Sequence, residues 1–266
     1  MEGSIGFIGA GNMASAIIGG MIRAGLAEPQ RIVVCDKSVE KCAPMQAKGC
    51  RIAADAAETV HLCQTVFLAV KPQNYAEVLE SVRSAVTPDK LFVSIAAGIS
   101  TAYVERESGC GKVIRVMPNT PLLLGAGATA LCRGKCVPDD EFEQVREIFE
   151  ASGMVEVLPE EQMNAVIAVN GSSPAYVYLM AKAMVDGAAE QGIDPETALR
   201  LVAGTLAGSA KMLTDSGHSP DELIRMVSSP GGTTLKALDV LYECNFESAL
   251  KDAMQACTRR AEELGR

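Results

Sequence analysis

The chain has 266 residues, 48% apolar and 21% charged, an ordinary globular mix with length enough for one large domain or two smaller ones. A net charge of −9 argues against nucleic acid or an acidic membrane surface as partner, because phosphate-binding surfaces are basic. No apolar run approaches a membrane span, no basic n-region marks a signal peptide, and nine cysteines without a C-x-x-C pair read as reduced thiols, so a cytoplasmic protein is expected.

Ser4-Ile5-Gly6-Phe7-Ile8 predicts a short buried strand, and the apolar-periodic run to Ala24 predicts a helix. Between them Gly9-Ala10-Gly11-Asn12-Met13-Ala14 has the spacing G-x-G-x-x-A of a dinucleotide fingerprint. Gly9 permits the tight turn, Gly11 lets a pyrophosphate approach the backbone, and Ala14 lets helix and strand pack closely. The unpaired N–H groups of the helix start favour an anion. A strand before the glycines and a helix after them is the context that this motif requires.

Residues 31–35 predict a second strand, with Asp36 at its end, where an acid can grip an adenosine ribose. Lys37 follows and suits a 2′-phosphate instead, so NAD and NADP both remain open. Residues 39–50 read as a helix and 50–52 as a short strand. Val66 to Val70 predicts a buried strand ending in Lys71-Pro72-Gln73, and Tyr75 to Val86 a helix. Leu91 to Ile95 predicts a strand running into Ala96-Ala97-Gly98, small residues that admit a ligand close to the backbone. Strands are expected at 112–116, 127–132 and 155–157, with a helix from Asp139 to Ser152.

This alternation implies an α/β fold, a mainly parallel sheet covered on both faces. Ligands of such sheets bind beyond the strands' carboxyl ends. Gly9–Gly11, Asp36, Ala69–Pro72 and Ile95–Gly98 all fall there.

Beyond Pro159 no convincing strand follows, which places a boundary between domains at 1–158 and 159–266. Glu160 to Gln191 is helical, interrupted at Asn170-Gly171-Ser172-Ser173-Pro174. Asp194-Pro195-Glu196 caps a helix to about Thr214, and Ser219-Pro220-Asp221-Glu222 caps a shorter one. Helices follow at 235–242 and 246–264. Helices this apolar do not cover themselves, so two subunits are expected to pack through them. Before residue 235 comes Ser229-Pro230-Gly231-Gly232-Thr233-Thr234, a glycine turn opening a helix with hydroxyl residues, suited to a carboxylate. His61 and His218 lie far apart in sequence, and no metal site is expected.

The motifs Ile5 to Met13, Phe67-Leu68-Ala69-Val70-Lys71-Pro72, Ser94-Ile95-Ala96-Ala97-Gly98, Met117-Pro118-Asn119-Thr120-Pro121, Gly171-Ser172-Ser173-Pro174-Ala175-Tyr176 and Val227 to Thr234 stand in that order. Together they resemble the pyrroline-5-carboxylate reductases, over essentially the whole chain. The resemblance implies an N-terminal Rossmann-type dinucleotide-binding domain and an all-helical C-terminal dimerisation domain that interlocks two subunits, often within larger rings. It implies reduction of 1-pyrroline-5-carboxylate to L-proline by hydride transfer from NADPH or NADH. Ile8, Gly9, Ala10, Gly11, Asn12 and Met13 would hold the pyrophosphate, with Asp36 and Lys37 at the adenosine 2′ position. Ala69, Val70, Lys71, Pro72, Ile95, Ala96 and Ala97 would line the nicotinamide end. Ser229, Gly231, Gly232, Thr233 and Thr234 would hold the substrate carboxylate, with the Thr234 hydroxyl nearest the ring nitrogen as the catalytic group.

Departures from the family's pattern are Asn170, where Ser is usual, and Ile224-Arg225, where Lys-Asp is common. Two rivals are weaker. A β-hydroxyacid dehydrogenase needs a base, usually a Lys on the first helix of the second domain, where this chain offers Asn170 and Ser172 and only later Lys182. A non-catalytic nucleotide sensor would not need a second anion site.

Overall fold

Short runs of β-branched and aromatic residues form the strands of the computed structural model, which describes residues 3–265. They are β1 (Ile5–Ile8), β2 (Ile32–Cys35), β3 (Arg51–Ile52), β4 (Thr65–Leu68), β5 (Leu91–Ser94), β6 (Lys112–Met117), β7 (Gly127–Arg133) and β8 (Gly153–Val157). One sheet holds them in the order β3-β2-β1-β4-β5-β6-β7-β8. The first six run parallel. β7 pairs antiparallel with β6, and β8 runs parallel to β7.

Helices α1 (Asn12–Arg23), α2 (Ala43–Ala47), α3 (Ala56–Leu62), α4 (Tyr75–Val82), α5 (Thr101–Ser108) and α6 (Asp139–Glu150) link the strands. One buried cluster joins Ile17 and Met21 of α1 and Phe142 and Phe149 of α6 to Phe7 and Phe67 of the sheet. A second joins Val60 of α3, Leu79 of α4 and Val104 of α5 to Val33 and Phe92. The rings of Phe7 and Phe67 stack with centroids 4.6 Å apart. Each such fully buried ring contributes about 2–3 kcal/mol of burial free energy.

Several local expectations change. The helix expected over 39–50 is a 3-10 turn (Val39–Cys42) followed by the five-residue α2. Pro44 lacks an N–H and so supports only a first helical turn there. The helices α3 and α5 were not foreseen. The α3 start carries its own signature, because Asp55 accepts from the Glu58 N–H at 2.8 Å and Glu58 accepts from the Ala54 N–H at 2.6 Å. Ser100 caps α5 in the same sense, and Gly109 closes it in the left-handed region. Gly98, read above as admitting a ligand, instead receives the last turn of the C-terminal helix: a Cβ there would lie 2.3 Å from the Ala261 carbonyl oxygen.

Beyond the sheet come a π-helical turn (Ile167–Gly171), α7 (Ser173–Glu190), α8 (Pro195–Asp215), α9 (Pro220–Met226), α10 (Thr233–Glu243) and α11 (Phe246–Leu264). The chain divides into two compact units, one comprising residues through Pro174 together with those from Gln255 onward, the other Ala175–Met254. In the second unit Asp194 caps α8 by accepting from Thr197 N–H, and Ser219 and Glu222 form a reciprocal capping box on α9. Among the described residues of α7 to α10, Ala198 and Val202 alone are buried, while Tyr178, Leu179, Leu199, Leu201 and Leu241 stand exposed.

Candidate functional site

The carboxyl ends of β1, β2 and β4 open into a cleft of about 700 Å3 in the first unit. Gly9 turns the chain out of β1 with φ +105°, and its N–H donates to the Cys35 carbonyl at 2.8 Å. A Cβ at Gly9 would stand 2.5 Å from the Ala69 carbonyl oxygen, so this crossing between the ends of β2 and β4 is open only to glycine. Gly11 differs. It is the N-cap of α1 with ordinary φ −76°, and a Cβ there would meet no protein atom within 4 Å. No side chain caps α1, so its first N–H groups and its positive end are left for an anion. An open cradle over an uncapped helix start fits a dinucleotide pyrophosphate.

Asp36 lies one residue past β2, its side chain 13% exposed. One carboxylate oxygen accepts from the Ala10 N–H and the other from the Ser38 N–H, both at 2.9 Å. The glycine turn and the end of β2 are thereby locked together. Lys37 reaches across the cleft to Glu77 of α4, with its Nζ 2.6 and 2.7 Å from the two carboxylate oxygens.

The structure brings Ile8, Gly9, Gly11, Asp36, Lys37, Ala69, Val70 and Lys71 into the cleft wall. Ala10, Asn12, Met13, Pro72, Ile95, Ala96 and Ala97 are not among the described residues that line it. Ala10 acts through its N–H to Asp36. Ala96 is buried, and Ala97 packs beside Met117, Met163 and Ile167. The segment Ala69–Pro72 is held from behind by Tyr75, whose buried hydroxyl donates to the Leu68 carbonyl at 2.8 Å and lies 3.0 Å from Ser94 Oγ. Burial pushes the Tyr75 phenol pKa up, so it stays a neutral donor. Tyr75, Ser38 and Lys41 were not foreseen as parts of the site. An aromatic residue three positions after a Pro at a strand end is a weak signal.

The second glycine turn belongs to the second unit. Gly231 has φ +72°, and the Gly232 N–H donates to the Ser229 carbonyl at 2.9 Å. A Cβ at Gly232 would stand 2.7 Å from Ser229 Oγ, so the turn is closed over the serine. Gly232 is the N-cap of α10 and no side chain caps that helix. Thr233 and Thr234 form its first turn, with N–H groups and hydroxyls at a positive helix end. The Asn170 amide donates to the Met117 and Ala128 carbonyls at 2.7 and 2.8 Å, a double bridge that a serine hydroxyl cannot make.

Residues 160–264 match the family described as pyrroline-5-carboxylate reductase dimerisation, and residues 4–98 match that described as NADP oxidoreductase, coenzyme F420-dependent. The chain is 40% identical to pyrroline-5-carboxylate reductase of Escherichia coli K12, over 100% of both sequences. The chain belongs to the pyrroline-5-carboxylate reductase family. Among solved members of this reductase family, that of Coxiella burnetii is 34% identical with TM-score 0.89, covering 100% of both chains. The Plasmodium falciparum pyrroline carboxylate reductase, crystallised with NADP bound, is 28% identical with TM-score 0.92, covering 100% of this chain and 99% of that one. As in the sequence reading, this reductase-family chain joins a Rossmann-type N-terminal half to a helical dimerisation half. Among the described residues no helix is long and apolar enough to cross a membrane, and no group of three or more His, Cys, Asp or Glu is placed to hold a metal ion.

Proposed function

We propose that the chain reduces 1-pyrroline-5-carboxylate to L-proline, the final step of proline synthesis. Supporting this reading are two helix starts without side-chain caps, at Gly11 and Gly232, each entered through a glycine of positive φ, in a chain 40% identical end to end to a named reductase. NAD(P)H, when bound, supplies the hydride that reduces the C=N bond. Residues 1–158 act as the nucleotide domain and 159–266 as the substrate and dimerisation domain.

Within that reading Ile8 to Met13 hold the pyrophosphate, Asp36 and Lys37 meet the adenosine ribose, and Ala69 to Pro72 with Ile95 to Ala97 border the nicotinamide. Ser229 and the backbone from Gly231 to Thr234 receive the substrate carboxylate through N–H groups at the start of α10. The Thr234 hydroxyl donates to the imine nitrogen and orients the ring. A threonine hydroxyl is a poor acid, so the proton that completes the amine comes from solvent along that hydrogen bond.

A second copy of the chain covers the exposed apolar side chains of α7, α8 and α10, so the working unit is a homodimer or a larger ring of dimers. Nine free thiols fit the cytoplasm as its compartment. The test is direct: purified protein is mixed with NADPH or NADH and 1-pyrroline-5-carboxylate, and nicotinamide absorbance is followed. Consumption dependent on the imino acid, with proline formed, is the expected result. No consumption with either nucleotide rejects the reading.

A further inference from the structure

Resting on the dinucleotide reading above, we propose that the corner of the cleft built by Asp36, Lys37, Ser38 and Lys41 selects an unphosphorylated adenosine ribose, making this chain prefer NADH over NADPH. A 2′-phosphate needs free donors and positive charge; a free ribose diol needs an acceptor. The corner supplies the acceptor. Asp36 is anchored by two backbone N–H groups at 2.9 Å, which fix its carboxylate at the cleft wall and leave lone pairs on both oxygens for hydroxyl donors.

The protein's own carboxylates compete for the donors a phosphate would use. The ammonium of Lys37 sits within 2.7 Å of both Glu77 oxygens. Lys41 lies 3.8 Å from Asp36 Oδ1. The Ser38 hydroxyl donates to Glu40 at 2.7 Å, and its N–H donates to Asp36. Charge gives the same answer. Three carboxylates line the cleft, Asp36, Asp55 and Glu77, against three ammonium groups, Lys37, Lys41 and Lys71, and they cancel. No arginine is among the described lining residues. A 2′-phosphate would place nearly two further negative charges beside Asp36 without a surplus of positive charge to meet them.

The Lys37–Glu77 pair is exposed and therefore weak, which makes it the adjustable part of the device. Removing the Glu77 charge frees Lys37 for a phosphate without touching Asp36. Removing the Asp36 charge removes both the ribose acceptor and the repulsion.

The experiment is calorimetric titration of the full chain with NADH and with NADPH, with no substrate present. The dissociation constant for NADH is expected to be lower by about tenfold or more, the size of effect that one fixed, partly buried like charge produces. Asp36→Ser should bring the ratio to unity or invert it. Glu77→Gln, an exposed change that leaves the Asp36 anchors in place, should move the ratio about two- to fivefold toward NADPH, as one exposed ion pair allows. Equal or tighter binding of NADPH by the unaltered chain overturns the inference. So does an unchanged ratio in Glu77→Gln and in an Asp36→Ser protein that melts like the parent. If neither nucleotide binds, the dinucleotide reading falls and this inference with it. If both bind and imino acid is reduced but NADPH is preferred, this inference alone falls.

Discussion

The Tyr75 hydroxyl donates to the Leu68 carbonyl oxygen at 2.8 Å and touches Ser94 Oγ at 3.0 Å, tying together the carboxyl ends of β4 and β5. Tyr75→Phe removes that tie and should cost about 1–2 kcal/mol of stability, read from urea unfolding. Burial raises the phenol's pKa in the folded chain above its unfolded value. The stabilisation is therefore complete below the unfolded pKa of about 10 and is lost as pH rises beyond it. The difference between variant and parent should be flat from pH 6 to pH 9.

Gly9 and Gly11 should fail in different ways. Gly9→Ala places a Cβ 2.5 Å from the Ala69 carbonyl oxygen at φ +105° and should lower the melting temperature as well as nucleotide binding. Gly11→Ala meets no protein atom within 4 Å and keeps an ordinary φ, so it should melt like the parent. Its methyl group stands where a pyrophosphate would approach, and affinity should fall by about tenfold or more. Thermal melts paired with nucleotide titration check both.

Thr234→Ala should lower kcat by about tenfold or more, the loss of one hydrogen bond to the reacting group, with nucleotide affinity nearly unchanged. Thr234→Ser keeps a hydroxyl and should recover most of the rate. Steady-state kinetics with a parallel binding titration separates the two quantities, and an unchanged kcat in Thr234→Ala would remove the residue from the mechanism.

Arg115 is a stability site. It is 2% exposed, pairs with Glu160 at 2.7 Å and donates to Asn164 Oδ1 at 2.6 Å. Glu160→Ala leaves the guanidinium buried with Asn164 as its remaining side-chain partner, at a cost of about 2–4 kcal/mol, toward the lower end because Glu160 is one-third exposed. Denaturant unfolding should show a lower midpoint with an unchanged slope.

The strand ends were legible because each is a run of apolar residues stopped by a glycine, an acid or a proline, and in a parallel sheet those stops share one edge. Thus Gly9, Asp36 and Lys71 were found from sequence and do meet in one cleft. Asp36's two backbone anchors and the Lys37–Glu77 bridge were not legible, since they depend on side-chain direction across elements. The reversal at β7 had a signal that went unread: the connection from Met117 to Gly127 is too short for the crossover that a parallel neighbour requires. The short helices α3 and α5 lack long periodicity and announce themselves only through caps at Asp55 and Ser100. Exposed apolar residues on α7 and α8 were legible as helices without a cover, because no sequence of alternating polar faces separates them.

The balance of lysines and carboxylates in the cleft has a kinetic side. An anionic dinucleotide diffusing toward a chain of charge −9 meets a cleft whose side-chain charges balance, so that only the short-range field of the α1 start attracts it. Capture then relies on collision and fit, without long-range guidance, and the residual repulsion is screened by ions. Added salt should leave the on-rate level or raise it slightly, the reverse of what a lysine-rich funnel would give.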